Sequence, residues 1–146
     1  MAEGVNRPLY TVEILRLAAS IPHLSPLAAP SGRAELRSPT CGSSIAVDVE
    51  LDENGRVLAL GQQVQACAFG QASAALMGNH AIGRDVSAVR EAVDALADWL
   101  AGSREDVGAW PGLEALAPAR SRRARHGAIL LPFRALLSAI EDAQAK

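Results

Sequence analysis

The chain has 146 residues, a formal net charge of −2 and 49% hydrophobic residues, with only two Trp, one Tyr and two Phe. This length suits a single domain, residues 1–146, with a core of Leu, Val, Ile and Ala. The charge favours no nucleic-acid partner, and no apolar run approaches the ~20 residues of a membrane span. The first ten residues lack the basic head and apolar core of a signal peptide, so we expect a cytoplasmic protein with reduced thiols.

The N-terminal part of the chain is predicted to form a helix followed by a loop. Apolar residues recur at helical spacing over residues 9–20, and Pro22 ends this pattern. The expected apolar stripe consists of Val12, Ile14, Leu15, Ala18 and Ile21. Residues 22–33 contain three prolines, two serines and a glycine, a composition typical of a loop.

A β-hairpin is predicted next. Apolar and polar residues alternate over residues 45–51, which is typical of a strand with one buried face and one solvent-exposed face. The following Asp-Glu-Asn-Gly at 52–55 predicts a turn, since Asn-Gly accepts positive φ. A second strand is predicted over about 57–65. A short strand over 34–38 would complete a three-stranded antiparallel sheet.

The two cysteines of the chain flank this hairpin. Cys41 precedes the first strand and Cys67 follows the second, so the hairpin places both at one end of the sheet. Small helix-forming residues follow Cys67, and the N–H groups of a helix start stabilise a thiolate. Gly42 lets the backbone turn beside Cys41. Two such thiols suit a metal or cluster site; the alternative is that each is a small buried apolar residue.

The C-terminal half is predicted to be helical. The helix after Cys67 should end near residues 78–79, and a second helix, capped by Asp85 or Ser87, should end near residue 101. A short helical turn is predicted over 113–117. The last helix should begin between residues 128 and 131, because Pro132 is tolerated only in a first turn.

An arginine-rich segment precedes this last helix. It contains Arg120, Arg122, Arg123 and Arg125, followed by His126 and Gly127. The segment is interpreted either as a solvated surface or as an electrostatic contact for an acidic partner or a negatively charged cluster. Nucleic-acid binding is disfavoured, because no aromatic residue interleaves the arginines.

A resemblance to a known family rests on residues 39–78, which read PTCGSSIAVDVELDENGRVLALGQQVQACAFGQASAALMG. They resemble the iron–sulfur cluster assembly scaffolds of the NifU N-terminal type, also called IscU-like, of which this chain is a divergent relative. There a Cys-Gly loop, a hairpin and a second Cys that opens a helix occur in this order. The resemblance extends over about residues 8–143. It implies an α+β fold of the SufE/NifU-like type, with a three-stranded antiparallel sheet and helices packed on one face.

The resemblance also implies a metal site, built in the family from three cysteines and one aspartate. Cys41 and Cys67 match the first two cysteines. Ser43 stands where the family has the aspartate. His126 and Gly127 match the His-Cys pair at the start of the last helix, so the histidine is retained and the third thiol is missing. The implied ligands are therefore Cys41, Cys67 and His126.

The function implied by the resemblance is that of a scaffold and not of an enzyme. Such a scaffold receives sulfur from a cysteine desulfurase and passes a transient iron–sulfur cluster to acceptor proteins; zinc is the alternative metal. Three ligands leave one position open, and a homodimer sharing a cluster through Cys41 and Cys67 of each subunit would supply four. The alternative is a NifU-like fold with a decayed site that acts as a zinc-binding or non-metal interaction partner in cluster assembly.

Overall fold

The computed structural model describes residues 10–39 and 42–146. Within these ranges the chain forms four α-helices, one 3-10 helix and three β-strands. In chain order the elements are α1 (Val12–Ala18), β1 (Gly32–Arg37), β2 (Ser44–Leu51), β3 (Val57–Gln65), α2 (Ala68–His80), α3 (Val86–Leu100), the 3-10 helix (Leu113–Ser121) and α4 (Arg123–Gln144).

The three strands form one antiparallel sheet in the order β1-β2-β3, as the sequence predicted. The β2–β3 turn has the expected chemistry: Gly55 has φ 78°, and its N–H donates to the Asp52 carbonyl at 3.0 Å. β3 has the predicted bounds, whereas β1 begins two residues before the predicted 34–38. The fold is therefore α+β with local turn chemistry that matches the sequence.

The helices pack on one face of the sheet, which confirms the predicted arrangement. α4 lies against β1 and β2, while α2 packs between α1 and α4, and α3 packs on α4. The contact of α4 with β1 is close, because a Cβ on Gly32 would collide with the Ala139 carbonyl. The largest side chains between sheet and α4 are buried: Ile45, Val47, Val49, Ile129, Phe133, Leu136 and Ile140. Their burial supplies the main apolar core of the layer.

The second face of the sheet is covered at its centre by the loop between α1 and β1. The expectation that Asp48 faces solvent was therefore wrong, since this residue is only 4% exposed. Its Oδ2 accepts a hydrogen bond from the Leu27 N–H at 3.1 Å, and its Oδ1 lies 3.5 Å from Arg33 Nε. A Cβ on Gly61 would collide with the Ser25 carbonyl of the same loop. The alternating pattern marked Asp48 as polar, but a distant loop supplies the donor to Oδ2, and Arg33 of β1 lies beside Oδ1.

The first helix is shorter than predicted and buries less. It spans Val12–Ala18 and is capped by Thr11, whose Oγ1 accepts from the Ile14 N–H at 3.1 Å. Ile14 is fully buried, but Val12 and Leu15 are 64% and 50% exposed, so the predicted apolar stripe was wrong at these two positions. Residue 9, where the helix was expected to begin, lies outside the described residues.

The last helix begins at Arg123, so the predicted start at residues 128–131 was wrong. Pro132 lies inside α4, where it removes the N–H that would bond the Ala128 carbonyl. The neighbouring Ile129 carbonyl accepts a short bond, 2.6 Å, from the buried Ser73 hydroxyl of α2. This tertiary contact lies at the turn that proline weakens, and it helps explain why the helix continues through Pro132.

The ends predicted for the two middle helices agree with the structure within two residues, since α2 ends at His80 and α3 at Leu100. Asp85 caps α3 as predicted, with Oδ1 accepting from the Ala88 N–H at 3.0 Å. The turn predicted over 113–117 is a longer 3-10 helix that includes Pro118. No helix among the described residues is both long and apolar enough to cross a membrane.

Candidate functional site

The predicted site lies at the end of the sheet where β1 stops, β2 begins and β3 stops. Ser44, the first residue of β2, is paired with Arg37 of β1 and with Gln65 of β3. The Ser38 N–H donates to the Ser43 carbonyl at 2.8 Å and closes the β1–β2 connection. Ser38 and Ser43 are both buried. This end of the sheet is thus a short, hydrogen-bonded connection beside the last residues of β3.

Cys41 lies in that connection by sequence, but it falls outside the described residues. Its neighbour Gly42 is described and has φ 71°, a left-handed conformation that suits glycine. Gly42 and Ser43 line a pocket of about 190 Å³ together with Gln65, Ala66 and Cys67. The residue next to Cys41 and the second cysteine therefore border the same shallow surface pocket.

Cys67 is the N-cap residue of α2, with φ −68° and ψ 172°. Its thiol is free and half-buried, and it accepts no capping hydrogen bond from the helix. An oxygen side chain at this position would usually bind the first N–H groups, and sulfur is a weak acceptor. The predicted helix start after Cys67 is therefore confirmed, and it leaves the thiol beside the pocket.

His126 lies within α4 instead of before it, and its ring is half-buried. Its Nε2 is 2.9 Å from the Ala119 carbonyl oxygen and 3.1 Å from that of Arg120. Carbonyl oxygens only accept hydrogen bonds, so Nε2 carries the proton. In the neutral ring Nδ1 is then the nitrogen with a free lone pair. This is the tautomer that a metal-binding histidine adopts when a backbone carbonyl orients it.

Gly127 faces the β1–β2 connection. A Cβ built on Gly127 would lie 3.2 Å from Ser38 Oγ, so the absent side chain leaves room for this buried serine. Close by, a Cβ on Gly70 of α2 would lie 3.3 Å from both the Cβ and the carbonyl oxygen of Ala128. The first turn of α2, which follows Cys67, and the segment after His126 are therefore packed together near the same end of the sheet.

The arginine-rich segment divides into two parts. Arg120 is engaged: its Nε and Nη2 donate to the carbonyls of Trp99 and Arg104 at 2.9 and 3.2 Å, and its guanidinium lies 5.0 Å from the Trp99 ring centroid. Arg122 and Arg123 are exposed. From the sequence, the four arginines form one segment, interpreted either as a solvated surface or as an electrostatic contact, and no signal in the sequence indicated that Arg120 ties the 3-10 helix to α3.

Within the described part of the chain, no three His, Cys, Asp or Glu side chains come together as a metal site. A site with three such ligands at this end of the sheet would therefore need Cys41. Ser38 is the residue of this region that sequence reasoning missed. A serine before a proline carries no distinctive signal, and only the fold brings it against Gly127.

Solved structures share this architecture. A nitrogen-fixing NifU-like protein (N-terminal) from Brucella abortus is 31% identical, with a TM-score of 0.87 over 94% of this chain and 96% of that one. A putative iron–sulfur cluster assembly scaffold protein for the SUF system from Fervidobacterium islandicum AW-1 is 17% identical, with a TM-score of 0.82 over 90% and 96% of the two chains. A hypothetical protein is 22% identical, with a TM-score of 0.73 over 91% and 97%.

The latter two structures, at this identity, show the fold alone. No protein-family model matches the sequence, and no curated protein matches it. The three-stranded sheet, the helices on one face and the hydrogen-bonded connection before β2 define an α+β scaffold fold of the NifU/SufU type. The chain belongs to the family of NifU-like proteins, and it corresponds to their N-terminal domain.

Proposed function

We propose that the protein is an iron–sulfur cluster assembly scaffold that holds iron and sulfide, or zinc, through Cys41, Cys67 and His126. The observation that carries the proposal is the position of Cys67. Its free thiol stands at the start of α2 and shares a pocket with Gly42, the neighbour of Cys41. Two thiolates and one imidazole form a donor set that both zinc and cluster iron accept.

The hydrogen bonds of His126 support its assignment as the third ligand. The Nε2–H is held by two carbonyl oxygens at the end of the 3-10 helix, which fixes the ring and leaves Nδ1 to bind a metal. A ligating histidine commonly donates its second ring N–H to such an acceptor. Gly127 and Ala128, which follow it in α4, pack against Ser38 and against the first turn of α2, so this turn of α4 lies at the end of the sheet that carries Cys67.

The cluster would be cargo and not a permanent cofactor. Ser43 provides no carboxylate and Gly127 provides no thiolate, so the three proposed ligands leave a coordination position open for sulfide, an acceptor protein or a second subunit. In this proposal a cysteine desulfurase supplies the sulfur, acceptor proteins take the cluster, and the protein itself catalyses no turnover. The reduced thiols that the site needs are those of the cytoplasm, where we propose that it acts.

A second candidate function keeps the fold without cluster assembly. The loss of a carboxylate at Ser43 and of a thiolate at Gly127 favours a site that binds only zinc, or an interaction partner of other assembly proteins.

Anaerobic reconstitution with iron, sulfide and a thiol reductant tests the proposal. The wild-type protein should gain the absorption of an iron–sulfur cluster, with iron and sulfide in stoichiometric amounts. Cys41→Ser and Cys67→Ser should each abolish it, while Ser103→Ala, which changes an exposed serine in the loop after α3, should not. Binding of zinc without cluster formation would support the second candidate, and binding of neither would contradict both metal assignments.

A further inference from the structure

β1 is an edge strand whose outer side is open over its last residues. The Ser38 N–H donates to Ser43 of the β1–β2 connection, so even-numbered residues along this strand bond to β2 and odd-numbered residues point their N–H groups outward. Arg33 follows this rule, since its N–H donates at 3.0 Å to Asp142 Oδ2 of α4. In the part of the chain that the structure describes, no acceptor is bonded to the outward N–H of Glu35 or Arg37.

The side chains of this edge carry two exposed charges of opposite sign. Glu35 and Arg37 are exposed on the sheet face that the helices leave free, and their cross-strand neighbours on β2 are Ala46 and Ser44, which are uncharged. Neither charge has an ion-pair partner among residues 10–39 and 42–146. Between them Leu36 is half-buried on the opposite face. Since their neighbours on β2 are uncharged, a strand that pairs these two charges would have to lie on the outer side of β1.

We propose that this edge pairs with the same edge of a second copy of the chain, antiparallel, with Leu36 opposite Leu36 of the second copy. In this register the outward N–H and C=O groups of Glu35 and Arg37 exchange four hydrogen bonds across a two-fold axis. Each Glu35 stands directly opposite an Arg37, and the two Leu36 side chains meet in the closer, non-hydrogen-bonded pair. The two sheets become one six-stranded sheet.

The charge pattern selects both the occupant and the register. The outward N–H groups allow only pairings of odd with odd residues, so the neighbouring registers differ by two positions. One of these would place Glu35 opposite Glu35, and the other would place Arg37 opposite Arg37, and like charges directly opposite are destabilising. An antiparallel second copy is thus complementary in one register, whereas an arbitrary strand has no reason to match it.

The ends of the pairing are also defined. Pro39 has no N–H to donate, and the Arg33 N–H is already bonded to Asp142. The paired segment is therefore limited to residues 34–38, which makes a small and reversible interface. This dimer needs no metal, so it stands or falls separately from the proposed scaffold function.

Charge reversal tests the pairing in metal-free protein that contains a chelator. By sedimentation velocity the wild-type dimer should increase with concentration. Glu35→Arg and Arg37→Glu should each raise the dissociation constant by at least about tenfold, since each creates two like-charge pairs. The double variant E35R/R37E restores complementarity and should return close to wild type. Glu53→Arg, the same charge change in the turn at the other end of the sheet, should have little effect.

Amide exchange locates the interface. As the dimer forms, the Glu35 and Arg37 amides should gain protection, whereas those of Ala34 and Leu36 should change little because they already bond to β2. A chain that stays monomeric up to about 1 mM, the weak end of the affinity scale, overturns the proposal. So does a dimer that the single reversals leave intact, or one that the double variant fails to restore.

Discussion

The two sides of the candidate site differ in how their functional groups are held. Cys67 caps α2 with a thiol that receives no capping hydrogen bond and borders a pocket of about 190 Å³. His126 sits in α4 with its Nε2 bonded to the carbonyls of Ala119 and Arg120. The cysteine side therefore presents a thiol without a capping hydrogen bond, whereas the histidine ring is oriented by two carbonyl acceptors and has one nitrogen already committed. A metal bound between them would use the first as nucleophilic donor and the second as a fixed support.

The largest expected effect comes from substitutions of His126 that distinguish the role of Nε2, which bonds the carbonyls, from that of Nδ1, the proposed metal ligand. His126→Gln keeps an N–H that can reach the carbonyls but has no second nitrogen, whereas His126→Ala removes both functions. We expect both variants to lose metal affinity by at least about 100-fold, the upper range for loss of a group that merely supports a metal ligand. The alanine variant should additionally lose about 1–3 kcal/mol of stability, because the carbonyls lose their donor.

Zinc titration and urea unfolding of both variants measure the two effects independently. Wild-type zinc affinity in His126→Gln would show that Nδ1 is not a ligand. His126 would then only join α4 to the 3-10 helix. Arg123→Gln, an exposed residue in the first turn of α4, serves as the control.

A smaller effect is expected from adding a thiol on the histidine side. Gly127→Cys places a third sulfur beside the β1–β2 connection, and Gly127→Ala adds only the Cβ, which meets Ser38 Oγ at 3.2 Å. Because zinc prefers four protein ligands in closed sites, the cysteine variant should bind zinc at least about tenfold more tightly than the alanine variant. Equal affinities, measured by competition with a chelator dye, would place residue 127 outside the metal's reach.

The connection between the two sides can be weakened through Ser73. Its buried hydroxyl donates to the Ile129 carbonyl at 2.6 Å and joins α2 to α4. Ser73→Ala should cost about 0.5–1.5 kcal/mol in urea unfolding, because a buried hydrogen bond between α2 and α4 is lost. Ser20→Ala is the matched control, since the Ser20 hydroxyl also bonds a carbonyl, that of Arg16 at 2.8 Å, but is exposed. Equal losses in the two variants would mean that this buried hydrogen bond stabilises the fold no more than an exposed one does.

The smallest effect concerns the far end of α4. Hydrogen bonds from the Arg33 N–H and then from Lys146 lower the pKa of Asp142. A carboxylate whose folded pKa is lowered contributes stability above its unfolded pKa, and this contribution is lost as the pH falls through the folded value. The stability difference between wild type and Asp142→Asn should therefore be slight, present at neutral pH, and vanish in acid. A difference that grows in acid would contradict the lowered pKa.

The parts of the fold that local rules determine could be predicted from the sequence. β3 and the Asp85 cap follow from alternation and from side-chain oxygen chemistry, and the hairpin alone places Cys67 beside the end of β2. The start of α4 was missed because the rule for Pro132 considers only one helix, while Ser73 of another helix bonds the weakened turn. The burial of Asp48 was likewise missed because strand alternation considers one strand, whereas the donor to Asp48 is Leu27 of a distant loop.

The candidate site was predictable only to the extent that it depends on chain order. The spacing of Cys41, Cys67 and His126 follows from the sequence, and their roles as ligands remain proposals. The contact of Ser38 with Gly127 and the bond from His126 Nε2 to two carbonyls depend on how the 3-10 helix and α4 pack. No local pattern encodes these contacts.

The central claim is that Cys41 and Cys67 bind one metal ion together. The rate of thiol alkylation, measured with and without zinc on wild type, Cys41→Ser and Cys67→Ser, tests it most directly. Zinc should protect both cysteines of the wild type, and in each serine variant the remaining cysteine should react as fast with zinc as without it. Wild-type cysteines that alkylate at the same rate with and without zinc or iron would contradict the claim and leave the fold without its proposed site.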